Sequence, residues 1–242
     1  MAQLYALADL HLSGAGNKPM DVFGELWRDH ASRMAQSWDA TVGDGDTVLL
    51  AGDLSWARNL EEAAVDLQWI AERPGRKLLL RGNHDSWWSS LARVRAELPP
   101  GCEALQNNAL EFEDWVIVGA RGWTSPEDPF AQPGDERVYR REMERLRLSI
   151  VEARRRFGGE RPRLAMVHYP PWLDGREPTE VVDHLAAAGV RICVYGHLHG
   201  EDHALAVTGT RRGIDFRFVA ADAVDFTPVR IDLPRGGREE RK

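Results

Sequence analysis

Residues 191–203 read RICVYGHLHGEDH, an apolar run that breaks at Gly196 and then delivers His197, His199 and His203 from a chain holding only 8 histidines. A run of this kind, ending on glycine and paired histidines, reads as a buried strand that feeds a site at its carboxyl end. Working outward, LYALAD (4–9), TVLLAGD (47–53), KLLLRG (77–82), WVIVGA (115–120) and RLAMVH (163–168) repeat the pattern. Most are continuous apolar runs, as expected of strands covered on both faces. Between them, Phe23, Trp27, His30, Met34 and Trp38 recur at helical spacing, as do Leu60, Ala64, Leu67 and Ala71, and Tyr139, Met143, Leu146, Ile150, Ala153 and Phe157. Strands alternating with helical stripes define an α/β fold. Beyond residue 203, ALAVTG, GIDFRFVA and TPVRI shorten and gain Gly and Pro punctuation, which predicts antiparallel strands closing a second sheet.

A length of 242 residues suits a single domain, taken here as 1–233, with a disordered tail over 234–242. No segment approaches the roughly 20 apolar residues that span a bilayer. The start, MAQLYALADLHL, has no positively charged leader, so the expected compartment is the cytoplasm. Cys102 and Cys193 form no CxxC pair and read as buried thiols. A net charge of −7 disfavours general nucleic-acid affinity, which depends on Lys and Arg neutralising phosphates. The segment 137–163 holds ten Arg against four Glu; its apolar stripe and its Glu136–Arg140 and Glu152–Arg156 spacings favour a solvated helix over a docking face.

The strand ends share one chemistry. They deliver Asp9 and His11, Asp53, Asn83 with His84 and Asp85, His168, and His197 with His199, with glycine beside three of these groups. Ligands of open α/β sheets bind beyond the carboxyl ends of the strands. Mixed imidazole and carboxylate suits Mn, Fe, Zn, Co or Ni rather than Ca or Mg. Seven candidate ligands exceed one tetrahedral ion and suit two ions sharing a carboxylate. Residues two apart in an extended segment face the same way, so Asp9 with His11 and His197 with His199 are each expected to point into one cluster.

In order, DLH (9–11), GD (52–53), GNHD (82–85), the histidine of HYPPW (168) and GHLH (196–199) resemble the five blocks of the calcineurin-like metallophosphoesterases. GARGW, HYPPW and VYGHLHG are similar to a stand-alone bacterial branch of predicted phosphohydrolases. The resemblance implies a metallophosphoesterase fold, a four-layer α/β/β/α sandwich of two mixed sheets. It implies two divalent metal ions, manganese first with Fe, Zn, Co or Ni as alternatives. One ion would be held by Asp9, His11, Asp53 and His199, the other by Asp53, Asn83, His168 and His197. The implied activity is phosphodiester hydrolysis, of nucleotide or aryl esters, by a metal-activated hydroxide. The alternatives are a phosphomonoesterase on small molecules and a noncatalytic metal-binding scaffold.

His84 is assigned by the resemblance to the leaving-group side. Several branches carry a polar or acidic supporter three places after the bridging Asp; here that position is Trp56, which leaves Ser55, Asp85 or a backbone carbonyl as substitutes. Catalytic candidates are therefore His84, Asp53 and Asp85. Trp56, Trp87, Trp88, Trp123 and Trp172 lie near site segments, either as an aromatic wall for the leaving group or as packing under the loops. Arg121 is a candidate phosphate clamp, or a surface arginine in a turn. His203 is expected in solvent. The expected partner is a small phosphate ester, with no stable nucleic-acid or membrane partner; the oligomeric state is left open.

Overall fold

The computed structural model describes residues 2–16, 18–129 and 131–234. Strands β1 (Leu4–Leu7), β2 (Thr47–Ala51), β3 (Arg76–Leu80) and β4 (Cys102–Leu105) run parallel, and β11 (Val229–Arg230) pairs antiparallel with β1. The order of this first sheet is β11-β1-β2-β3-β4. The second sheet contains β5 (Leu110–Phe112), β6 (Trp115–Ala120), β7 (Arg163–Val167), β8 (Val190–Tyr195), β9 (Gly209–Arg211) and β10 (Ile214–Phe218), ordered β5-β6-β7-β8-β10-β9. Its central strands β6, β7, β8 and β10 are parallel and its edges antiparallel. Both sheets are thus mixed.

The continuous apolar runs follow from this stacking. Successive side chains of a strand point to opposite faces, and here both faces are covered. Leu49, Leu78 and Ile117 face Leu164, Met166 and Val194 in a core between the sheets. Val48, Leu50 and Leu79 instead face α1 (His30–Thr41) and α2 (Leu60–Glu72) through Met34, Trp38 and Leu67, with α3 (Leu91–Glu97) adding Val94. On the other side, Val118, Ala165 and Cys193 pack on α4 (Asp135–Phe157) and α5 (Glu180–Ala187) through Leu146, Ile150 and Leu185. Helix, sheet, sheet and helix make four layers. Both cysteines are buried and free. No helix among the described residues is long and apolar enough to cross a membrane.

Several elements depart from the sequence expectation. The stripe from Phe23 to Trp38 is not one helix: Gly24, with φ 127°, separates 3-10 turns at Met20–Phe23 and Glu25–Trp27, and α1 begins only at His30. Phe23 is accordingly 55 % exposed rather than core. In α2 the buried positions are Ala63, Asp66, Leu67 and Ile70, with Ala64 outside. The α4 stripe appears as expected but also buries Glu142 and Ser149. Glu136 pairs with Arg140, whereas Glu152 takes Arg155 and Arg156 donates to the Ala109 carbonyl. Of the tail, only Pro234 falls among the described residues.

Candidate metal centre

Every expected site residue on a strand end is found just past the last strand residue. Asp9 and His11 follow β1, Asp53 follows β2, Asn83 and His84 follow β3, His168 follows β7, and His197 and His199 follow β8. They do not converge through extended alternation. Asp9, His11, Asp53 and His197 have φ of 59, 46, 53 and 79°, a left-handed conformation that costs such residues about 1–2 kcal/mol each. The chain therefore turns back at the tips of β1, β2 and β8 and brings these side chains together beyond the strand ends. Close approach needs glycine at two places: a Cβ on Gly82 would lie 2.0 Å from Asp53 Oδ1, and one on Gly196 2.2 Å from Asp9 Oδ2.

Backbone donors hold one oxygen of each carboxylate and leave the other for the cluster. The His84 N–H donates to Asp53 Oδ1 at 2.8 Å, and the His197 N–H to Asp9 Oδ2 at 2.9 Å. Asp53 Oδ2 then stands 3.3 Å from His168 Nε2 and 3.9 Å from both His11 Nε2 and His84 Nε2. Asp9 Oδ1 is buried without a hydrogen bond, 3.6 Å from His199 Nε2. Asn83 Oδ1 faces His168 Nε2 at 2.8 Å and His197 Nδ1 at 3.0 Å.

The ring tautomers follow from their outer partners. His168 Nδ1–H donates to the Ala51 carbonyl at 2.9 Å, so in the neutral ring Nε2 carries a lone pair, and that lone pair faces two oxygens. His199 Nδ1–H donates to Asp222 Oδ1 at 3.0 Å and turns its Nε2 toward His11 Nε2, 3.3 Å away. Lone pairs meeting oxygens and nitrogens repel unless a proton or a metal ion lies between them, and a divalent ion would satisfy several of them at once. Two donors about 2.1 Å from one ion and tetrahedrally disposed stand about 3.4 Å apart, close to the His11–His199 spacing. The donor set thus fits divalent metal, and groups of three close donors occur at Asp9, His11 and His199 and at Asp9, Asp53 and His168.

Protonation follows the same geometry. Burial pushes His11 and His197 down to about 3, the neutral form that ligates. Burial would also lower His168, but the Asp53 and Asp9 carboxylates outweigh it and hold this ring up at about 9. Burial works to raise Asp53; His168 above all, with His11 and His84, keeps it far below the usual carboxylate range. Asp9 rises to about 7 by burial, only partly offset by His168 and His199.

The remaining candidates separate sharply. His84 is 42 % exposed, with its pKa lowered by burial despite Asp53, and its ring centroid lies 4.3 Å from that of Trp56. Trp56 also stacks on His11 at 4.9 Å. The expected polar supporters of His84 are otherwise engaged: Ser55 Oγ bonds to Asp66 Oδ2, and Asp85 is not at the catalytic face. Asp85 accepts from the backbone N–H groups of Leu54, Ser55 and Gly82 and from the Trp87 indole, tying the loops after β2 and β3 together. Trp87 and Trp88 are buried core residues, and Trp172 packs on Phe216 and donates to the Arg176 carbonyl, so none of the three walls the centre. Arg121 is no clamp either, since its guanidinium is buried against Glu142 at 3.0 Å and lies over Trp123.

Three contributors escaped the sequence reading. Asp222 is buried, and its Oδ2 accepts from the Gly200 N–H and sits 3.0 Å from His203 Nε2, which places His203 in a pair rather than in solvent. It arrives because the chain leaving β10 crosses to the first sheet, with Ala8 N–H donating to Val219 O and Ala221 N–H to Ala8 O. Trp27 places its indole edge against both His11 and His199 at 5.7 Å, and Tyr169 stacks on His197 at 3.9 Å. Tyr169 sits beside His168 in HYPPW, Trp27 showed only its place in a helical stripe, and Asp222 carries no sequence signal.

Fold and site together define a class: a two-sheet α/β protein with an Asp–Asn–His centre at the parallel strand ends. The chain belongs to the calcineurin-like phosphoesterase family, whose model matches residues 2–201. It is similar to the Gene 66 proteins of Mycobacterium phages L5 (34% identity over 85 residues) and D29 (37% over 86), matches covering 35% of this chain and 41% of either relative. The chain thus spans well under half the length of those curated relatives. Among solved structures, a phosphopantetheinyl hydrolase of Mycobacterium tuberculosis shares the fold with TM-score 0.61 at 15% identity, covering 97% of both chains. A protein of unknown function from Aquifex aeolicus, AQ665, does so with TM-score 0.52 at 16% identity, covering 95% of this chain and 96% of that one.

Proposed function

We propose that this protein is a metal-dependent phosphoesterase that hydrolyses small phosphate esters, with phosphodiesters ahead of monoesters. One observation carries the reading: the free oxygen of Asp53 lies near the ring nitrogens of His11, His84 and His168, in a cluster of converging donors that fits divalent ions. Family membership and the fold shared with a phosphopantetheinyl hydrolase support the same class. Asp9, His11, Asp53 and His199 would hold one divalent ion and Asp53, Asn83, His168 and His197 the other, with manganese as the first choice. When bound, such ions supply positive charge that binds phosphoryl oxygens and acidifies water.

The chain's own residues divide the remaining work. Ala51 O and Asp222 fix the tautomers of His168 and His199, so both ligands meet the ion with a lone pair. His84 stands on the open side, against Trp56, where its ring would face the departing oxygen. The acidic net charge of the chain supports a small ester over a nucleic acid as substrate, and a cytoplasmic setting remains part of the proposal.

The test is turnover of bis(p-nitrophenyl) phosphate and p-nitrophenyl phosphate by chelator-stripped protein reloaded with Mn. We expect metal-dependent hydrolysis, faster on the diester, with His84→Ala slower by about a hundredfold or more while it still binds metal. Asp53→Asn should lose both metal and activity. Protein that binds two ions and turns over neither ester, with any metal, defeats the proposal.

A further inference from the structure

We propose that Lys18 forms an anion subsite on the leaving-group side of the centre, so that preferred substrates carry a second negative group, such as another phosphate, beyond the scissile bond. This rests on the phosphoesterase reading and adds the substrate class. Lysine is scarce in this chain, at positions 18, 77 and 242 among many arginines. Lys77 is spent internally on the Ala71 and Arg73 carbonyls. Lys18 is held differently. Its backbone N–H donates to Ser13 Oγ at 2.9 Å, which anchors the loop, and its ammonium sits 3.4 Å from the Trp56 ring centroid and 5.2 Å from that of Phe23. Among the described residues no carboxylate pairs with it.

Position gives this charge its meaning. Trp56 is the ring that touches both His11 and His84, so a single indole separates the Lys18 ammonium from the group facing the leaving oxygen. A cation resting on a half-buried aromatic face is still held more weakly than one bonded to phosphate. An anion emerging past His84 would therefore draw the flexible ammonium off the indole and onto itself. Phe23, exposed beside the same indole with its ring plane within 9° of parallel, offers an apolar surface for the organic body of such a leaving group.

Binding of pyrophosphate and of phosphate to the Mn-loaded protein, measured by titration calorimetry, separates this subsite from the centre itself. Lys18→Gln is expected to weaken pyrophosphate about tenfold while changing phosphate by less than about twofold, and Lys18→Arg should restore most of the loss. Equal effects on both anions, or none on either, overturn the subsite and leave the phosphoesterase reading intact. Failure of the wild-type protein to bind either anion, with no hydrolysis of the nitrophenyl esters, overturns both.

Discussion

Replacing Asp222 should weaken metal binding although Asp222 is proposed as no ligand. Its carboxylate, with a side chain only 1 % exposed, accepts the Nδ1–H of His199 at 3.0 Å and the Gly200 N–H at 3.2 Å. The first contact fixes which nitrogen of His199 is free, and the negative charge raises the ring's basicity, as the upward pKa shift of His199 against its own burial attests. Outer partners of metal-binding histidines are worth about 10- to 100-fold in affinity, or about 1.4–2.7 kcal/mol. Asn retains an acceptor but no charge, so Asp222→Asn should lie near the lower figure. Ala leaves the ring free to turn and should approach the upper one. Competition against a fluorescent Mn chelator reads the affinity, and metal analysis after desalting reads the stoichiometry. His203→Gln serves as a comparison, because it removes the contact at Asp222 Oδ2 while leaving the His199 bond to Oδ1 in place. If Asp222→Ala holds two ions with wild-type affinity while remaining folded, the tautomer argument is wrong.

The buried pair of Arg121 and Glu142 is a structural element, so Arg121→Ala should lower stability to urea by about 3 kcal/mol, moderated by Arg145, which lies 2.9 Å from the same Glu142 oxygen. KM of the folded fraction should not move; a large rise in KM at unchanged stability would restore the clamp. In metal-stripped protein, His168 holds its added proton to about pH 9, whereas the unfolded chain releases it near 6.5. The folded state then binds more protons than the unfolded one across that window, so this contribution is complete below 6.5 and lost as pH rises through 9. Scanning fluorimetry should show Tm of stripped protein falling over that range, less steeply in His168→Gln, with Mn removing the slope; a flat profile in stripped wild type would contradict it.

How far the sequence reached depends on the range of the physics at each residue. Strand ends were legible because burial on both faces writes an apolar run and the turn that ends it falls on adjacent residues. Gly82 and Gly196 were visible as letters, but their necessity lies in carboxylates brought from elsewhere in the chain. The helical stripe across Phe23 to Trp38 misled because periodicity ignores a backbone break at Gly24; β4, CEAL, is as short as β1 but carries Glu103 outward and so writes no continuous apolar run, and β5 has only three residues. Asp85 and Arg121 were misread for one reason: a charged residue beside a motif looks available, and only packing reveals that the loop amides and Glu142 have already claimed it.

The order of residues by itself determined the α/β rhythm and the set of Asp, Asn and His side chains at the strand tips, since those are properties of single segments. Tertiary structure alone decided which oxygen of Asp53 and Asp9 is free, that the Trp56 ring lies against both His11 and His84, and that Asp222 orients His199. Each of these is a contact between distant segments, set by how two sheets stack and where the chain crosses between them, and no local pattern encodes that distance.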